Sequence, residues 1–190
     1  MASVMDPRLA TIYEVSVWRG RPMLVCELME RGTLADRLAR GPLPEAEALA
    51  IGAELADALA VLHAKHLLHG DIKPGNVGFT GDDRPKLLDF GLAQWLSEEP
   101  ASPTGGTPSY TSPEALSGAP YSVMFDLWSL AVLLHEAVTG TLPSRTDGGE
   151  ETTAAGMRSV QFFRDALAAD PRRRPQSARE FAAALRELAG

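Results

Sequence analysis

The chain has 190 residues, 45% of them hydrophobic, and a formal net charge of -7. That length and apolar share allow one domain with a proper core, and the acidic balance speaks against a general nucleic-acid or anionic-membrane surface. One cysteine, Cys26, excludes an internal disulfide framework, and no apolar run reaches membrane-spanning length.

Residues 8–17 and 22–28 are rich in Val, Ile, Leu and Tyr and predict two strands, with Trp18-Arg19-Gly20-Arg21 as the hairpin turn. Residues 33–40 predict a short helix capped by Thr33. A long helix is expected over 44–64. Pro44 suits its first turn, Glu45 and Glu47 suit the positive end of its dipole, and Leu49, Leu55, Leu59 and Leu62 give it an apolar side. Residues 77–80 and 86–88 predict short strands around the turn Gly81-Asp82-Asp83. Residues 97–106 are Pro-, Ser-, Thr- and Gly-rich and predict a loop. Residues 122–138 form the most apolar helical stretch and the most buried one expected, ended by Thr139-Gly140. Residues 141–155 are polar and read as a mobile connection, and 157–168 and 177–188 predict two further helices. Strands first, then helices, is the order of an α+β chain that is mostly helical. His63, His66 and His135 have no partners at metal-ligand spacing and are expected at the surface or at helix ends.

Chemistry concentrates in His69-Gly70-Asp71-Ile72-Lys73-Pro74-Gly75-Asn76 and Leu88-Asp89-Phe90-Gly91. The acid Asp71 can orient the proton of an attacking hydroxyl, and Lys73 can neutralise a transferred phosphate. Asn76 and Asp89 offer the oxygen ligands that Mg²⁺ prefers. Further along stand Gly106-Thr107-Pro108-Ser109-Tyr110-Thr111-Ser112-Pro113-Glu114, Asp126-Leu127-Trp128-Ser129-Leu130 and Asp170-Pro171-Arg172-Arg173-Arg174-Pro175.

Together and in this order, these motifs resemble the protein kinase family, in particular the Ser/Thr kinases of bacteria. The resemblance implies a helical large lobe over 33–190 and, over 1–32, only strands 4 and 5 and the hinge of a small β lobe. It implies ATP and Mg as cofactors and a protein Ser or Thr hydroxyl as acceptor. Asp71 takes the role of base, Lys73 and Asn76 act beside it, and Asn76 and Asp89 hold the metal. Glu27 and Met29 border the nucleotide, next to Cys26 as a small buried residue at the back of the adenine pocket. Thr107 is expected to bond near Asp71 and Lys73. His69, Phe90 and Asp126 are implied as structural, and Glu114 and Arg174 as a largely buried ion pair.

The chain departs from the family at several points. Gly70 replaces the Arg that usually receives an activation-loop phosphate, so Thr104 and Thr107 are weak phosphosites. Gly78 stands where a bulky apolar residue usually lies beneath the adenine, a loss of about 1 kcal/mol of contact or more. No G-x-G-x-x-G and no strand lysine precede residue 8, which leads to the expectation of weak nucleotide binding by the chain as given. A late reading frame, a degenerate relative or a completing partner chain would each account for it. A pseudokinase-like binding module is the alternative. A small-molecule phosphotransferase, which shares H-G-D but normally carries His at position 73, ranks below it. The two isolated strands lead to the expectation of self-association or a partner through residues 8–28. The expected location is cytoplasmic, with no nucleic-acid or membrane partner.

Overall fold

The computed structural model describes residues 5–88, 94–95, 107–144 and 158–190. Asp89, Phe90, Gly91, Thr104, the 97–106 loop and most of the 141–155 connection lie outside them.

Strands β1 (Ile12–Trp18) and β2 (Arg21–Cys26) form an antiparallel hairpin with Trp18 opposite Arg21. Its turn residues Arg19 and Gly20 both have positive φ, 51° and 76°. That backbone matches the twist of the flanking strands. The hairpin leaves Tyr13, Val15, Val17 and Trp18 exposed, and Cys26, expected to be buried, is exposed as well.

The residues just before β1 behave differently from the expected start of a strand. Leu9 is only 3% exposed and belongs to the helical core. The Leu87 N–H donates to the Arg8 carbonyl and the Ala10 N–H to the Leu87 carbonyl, each at 2.9 Å. The Arg8 guanidinium reaches Asp57 at 3.0 Å. An apolar side chain and a partnered cation therefore draw this stretch onto the helices and out of the hairpin.

Helix α1 (Leu34–Leu38) begins at Thr33, whose hydroxyl accepts the Asp36 N–H while the Asp36 carboxylate accepts the Thr33 N–H. This reciprocal cap satisfies donors that the helix leaves open. Helix α2 (Glu45–His63) is followed by the short strands β3 (Leu67–Leu68), β4 (Val77–Phe79), β5 (Pro85–Leu87) and β6 (Gln94–Trp95). β4 pairs with β5, and β3 with β6. Helices α3 (Pro113–Leu116), α4 (Val123–Thr139), α5 (Val160–Ala166) and α6 (Ala178–Ala189) complete the order. The last two helices start three residues and one residue later than expected, at Val160 and Ala178, directly after Ser159 and Ser177. Glu45 explains the first of these, since its carboxylate accepts both the N–H and the hydroxyl of Ser159.

The core lies between α2, α4 and α6. Gly52 lets them approach, because a Cβ there would stand 2.5 Å from Leu134 Cδ1 and 2.9 Å from Leu185 Cδ1. Helix α4 is buried nearly all round, including Leu130, Leu133 and Leu134, and Gly140 ends it at φ 76°. His135, expected at the surface, is 2% exposed and packs edge-on against Phe163. No described helix is long and apolar enough to cross a membrane.

Asp126, in the first turn of α4, is 1% exposed. Its carboxylate accepts the N–H groups of His69 and Gly70 and a hydrogen bond from His63 Nε2, each at 2.9 Å. His63 lies at a helix end, as expected, and from there anchors α2 to α4. Gly70 turns the chain here with φ 80°, a conformation open to glycine at little cost.

Burial pushes the Asp126 carboxyl up, but the hydrogen bond and charge of His63, with the Gly70 N–H, outweigh it and hold its pKa below 3.8. The folded group therefore binds fewer protons than the unfolded one. Its contribution is complete above the unfolded value and is lost as pH falls through the lower folded value. Asp126→Asn is expected to cost about 3 kcal/mol at pH 7, a loss that shrinks below pH of about 4. Thermal melts of both proteins across this range check it; a gap that stays constant down to pH 3 would contradict it.

Candidate active site

The anchored pair His69-Gly70 delivers Asp71 directly after it. The turn Pro74–Asn76, opened by the fixed φ of Pro74, then folds Asn76 back toward Asp71. Lys73 Nζ donates to Asp71 Oδ2 at 2.6 Å, and Asn76 Nδ2 donates to the same oxygen at 3.0 Å and to the Asp71 carbonyl at 2.8 Å. From the other side, Thr107 donates to Asp71 Oδ1 through its N–H at 3.2 Å and its hydroxyl at 3.3 Å. Lys73 also donates to the Thr107 hydroxyl at 3.1 Å. Asp71, Lys73, Asn76 and Thr107 therefore form one cluster, although 36 residues separate Asp71 from Thr107.

Burial raises the Asp71 carboxyl, yet the hydrogen bond and charge of Lys73, then Thr107 and Asn76, more than offset it. Its pKa lies below the ordinary value, so at neutral pH it is an ionised acceptor. His69 is fixed from both sides. Its Nδ1 accepts the Asp71 N–H at 3.3 Å, so Nε2 carries the proton that it donates to the Leu88 carbonyl at 2.9 Å. The Leu88 N–H in turn donates to the Asn76 carbonyl at 2.9 Å. The residue before Asp89 is thereby held against both His69 and Asn76.

Asn76 spends its amide hydrogens on Asp71, and no described residue donates to its Oδ1. That oxygen is the ligand type a hard cation takes, so this half of a Mg²⁺ site fits. Its proposed companion, Asp89, lies outside the described residues. Among those described, no group of three His, Cys, Asp or Glu side chains converges on a metal-sized site.

At the hairpin side, the Glu27 side chain is already engaged. Its carboxylate accepts from Lys86 Nζ at 2.5 Å and from the Thr11 N–H at 3.0 Å. The Glu27 N–H donates to the Thr11 carbonyl at 2.8 Å, which leaves the Glu27 carbonyl to a ligand. The Met29 side chain lies over Gly78.

The segment that carries Thr107 is bolted to the helices. The Tyr110 hydroxyl donates to Glu136 Oε2 at 2.5 Å, and the Ser129 hydroxyl donates to the Tyr110 carbonyl at 2.8 Å. Ser112 caps α3 by accepting the Ala115 N–H. Glu114 and Arg174 make a two-pronged pair at 2.6 and 3.0 Å, with the Arg174 guanidinium 4.5 Å above the Trp128 ring. The Arg174 side chain is fully buried and also donates to the carbonyls of Ala168 and Ala169. Removing one partner of a buried pair typically costs about 3–5 kcal/mol. Sequence reasoning missed His63, Lys86, Glu136 and the Tyr110 hydroxyl. Only their charge or hydroxyl on an otherwise apolar element could have pointed to them.

Comparison with known proteins agrees with this geometry. The family model described as the protein kinase domain matches residues 1–189. A serine/threonine-protein kinase, pkn2, of Myxococcus xanthus is 31% identical over 97% of this chain and 26% of its own length. The serine/threonine-protein kinase PknK of Mycobacterium tuberculosis is 36% identical over 80% of this chain and 14% of its own. The CBL-interacting protein kinase 4 of Oryza sativa is 38% identical over 75% of this chain and 33% of its own. The chain spans about a third or less of the length of these relatives. With the family model covering nearly every residue, and with the α+β architecture and the Asp71 cluster described above, the chain belongs to the protein kinase domain family.

Proposed function

We propose that the chain is the catalytic domain of a Ser/Thr protein kinase, transferring a phosphoryl group from Mg·ATP to a protein hydroxyl. The observation that carries this is the Asp71 carboxylate, ionised and gripped from one side by Lys73 and Asn76 and from the other by Thr107. Bound Mg·ATP would supply the transferable phosphoryl group and metal charge. Asp71 would aim the acceptor hydroxyl and take its proton as the hydroxyl oxygen bonds to the γ-phosphorus and the bond from that phosphorus to the leaving ADP breaks. Lys73, at hydrogen-bond distance from both Asp71 and Thr107, offsets charge on the transferred group. Asn76, through its Oδ1, and Asp89 are the residues to hold the metal, and the main chain around Glu27 and Met29 is the edge to meet the base. Thr107 beside Lys73 favours Ser and Thr over Tyr as acceptors.

The division into a small-lobe part, residues 1–32, and a helical lobe, 33–190, belongs to this reading, as does a cytoplasmic location. So does assembly through residues 8–28, supported by the exposure of Val15 and Val17 at 66% and 71% on the hairpin.

Asp71→Asn keeps the size of the side chain but removes the charge and the proton acceptor. It is expected to lower phosphate transfer from labelled ATP by about 100-fold or more, with the circular-dichroism melt still cooperative. A variant that keeps wild-type turnover would remove Asp71 from this role. For assembly, light scattering should give a mass above the 20.3 kDa of one chain, and Val15→Lys with Val17→Lys should return it to that value. A concentrated wild-type monomer would overturn that part of the reading.

A further inference from the structure

Gly78 sits at the middle of β4 between Val77 and Phe79, which are 0% and 1% exposed and point into the helical body. Side chains alternate across a strand, so position 78 faces the opposite way, toward Met29. The Leu88 N–H bond to the Asn76 carbonyl carries the β4–β5 ladder one residue further. Asn76, the last residue of the Pro74–Asn76 turn, is thereby tied to the end of the ladder, two residues from position 78. An elongated ligand with its phosphates at Asn76 would lay its other end over position 78.

That position has no side chain of its own, yet its place is filled. A Cβ built on Gly78 would stand 2.7 Å from Met29 Sδ and 3.0 Å from Met29 Cβ, with Met29 Cγ nearer still. Side chains at 29 and 78 exclude one another in this arrangement. Met29 is held there by the main-chain bonds that the two residues Arg31 and Gly32 make to β4. The Arg31 N–H donates to the Phe79 carbonyl at 3.1 Å, and the Phe79 N–H to the Gly32 carbonyl at 3.0 Å. The Gly32 N–H closes the turn on the Met29 carbonyl at 3.1 Å. The thioether lies against the β4 backbone, where the root of a strand side chain would be. It is only half-buried, so part of its surface is open to a ligand. A flexible, polarisable thioether also suits contact with an aromatic ring.

We propose that Met29 supplies, across Gly78, the apolar floor for the base of the nucleotide, and is the residue that sets affinity for that base. This rests on the nucleotide reading of the Asp71–Asn76 cluster. The expected loss of apolar contact at Gly78 is then made good from the hinge segment.

Calorimetric titrations with Mg·ATP and with Mg·tripolyphosphate, which lacks base and sugar, test it. They are run on the wild type, Met29→Ala and Met29→Ala/Gly78→Leu. Met29→Ala should weaken ATP binding by about 5- to 10-fold and leave tripolyphosphate unchanged. The double variant, which refills the same space from β4, should recover ATP binding to within about 2-fold. It also carries the test if Met29→Ala alone melts early. Unchanged ATP affinity in Met29→Ala overturns the proposal. So does tighter binding, which would make Met29 a plug, or a folded double variant that does not recover. A wild type that binds tripolyphosphate as tightly as ATP removes the base floor and keeps the phosphate site. A wild type that binds neither removes the nucleotide reading and the floor with it.

Discussion

One buried carboxylate holds the candidate active site in place. Asp126 sits inside the most buried helix of the chain and takes two main-chain N–H groups from the loop before Asp71. A charge in that position is stable only while its donors stay with it. The loop therefore cannot move without stranding the carboxylate, and α4 cannot shift without dragging the loop. His63 adds the end of α2 to the same point, so the two longest described helices and the loop before Asp71 share a junction. The position of Asp71, directly after the anchored pair, is therefore fixed from α4.

A second set of ties fixes the opposite side of the cluster. Thr107 reaches Asp71 because Tyr110 is bonded to Glu136 and Ser129 on α4, and because Glu114 is locked to Arg174. The segment carrying Thr107 and the loop before Asp71 thus dock on one helix through separate contacts. Gly70 fits this arrangement. Its tie to Asp126 runs through its main-chain N–H and requires no cationic side chain at position 70.

Much of this was legible in the sequence for local reasons. Helix starts announce themselves through side chains that bond backbone a few residues away, as Thr33, Ser122 and Ser177 do. The Asp71 cluster was legible as a motif, and the helical body as a run of apolar periodicity. What was not legible joins residues far apart in the chain. Nothing near His63 indicates Asp126, and nothing near Glu27 indicates Lys86. The pairing of β3 with β6 is too short to leave an alternating pattern. Leu9 looks like one more strand residue, and only its place against Leu87 shows that it belongs to the core. Gly78 reads as a missing side chain until Met29 is seen in its place.

Native-state hydrogen exchange at the His69 and Gly70 amides, resolved by NMR, tests the junction most directly. If both donate to the buried Asp126 carboxylate, they exchange only through the opening that frees the interior amides of α4, with the same free energy. Exchange as fast as that of the exposed β1 amides would show that the loop is not held by Asp126, and would contradict the account.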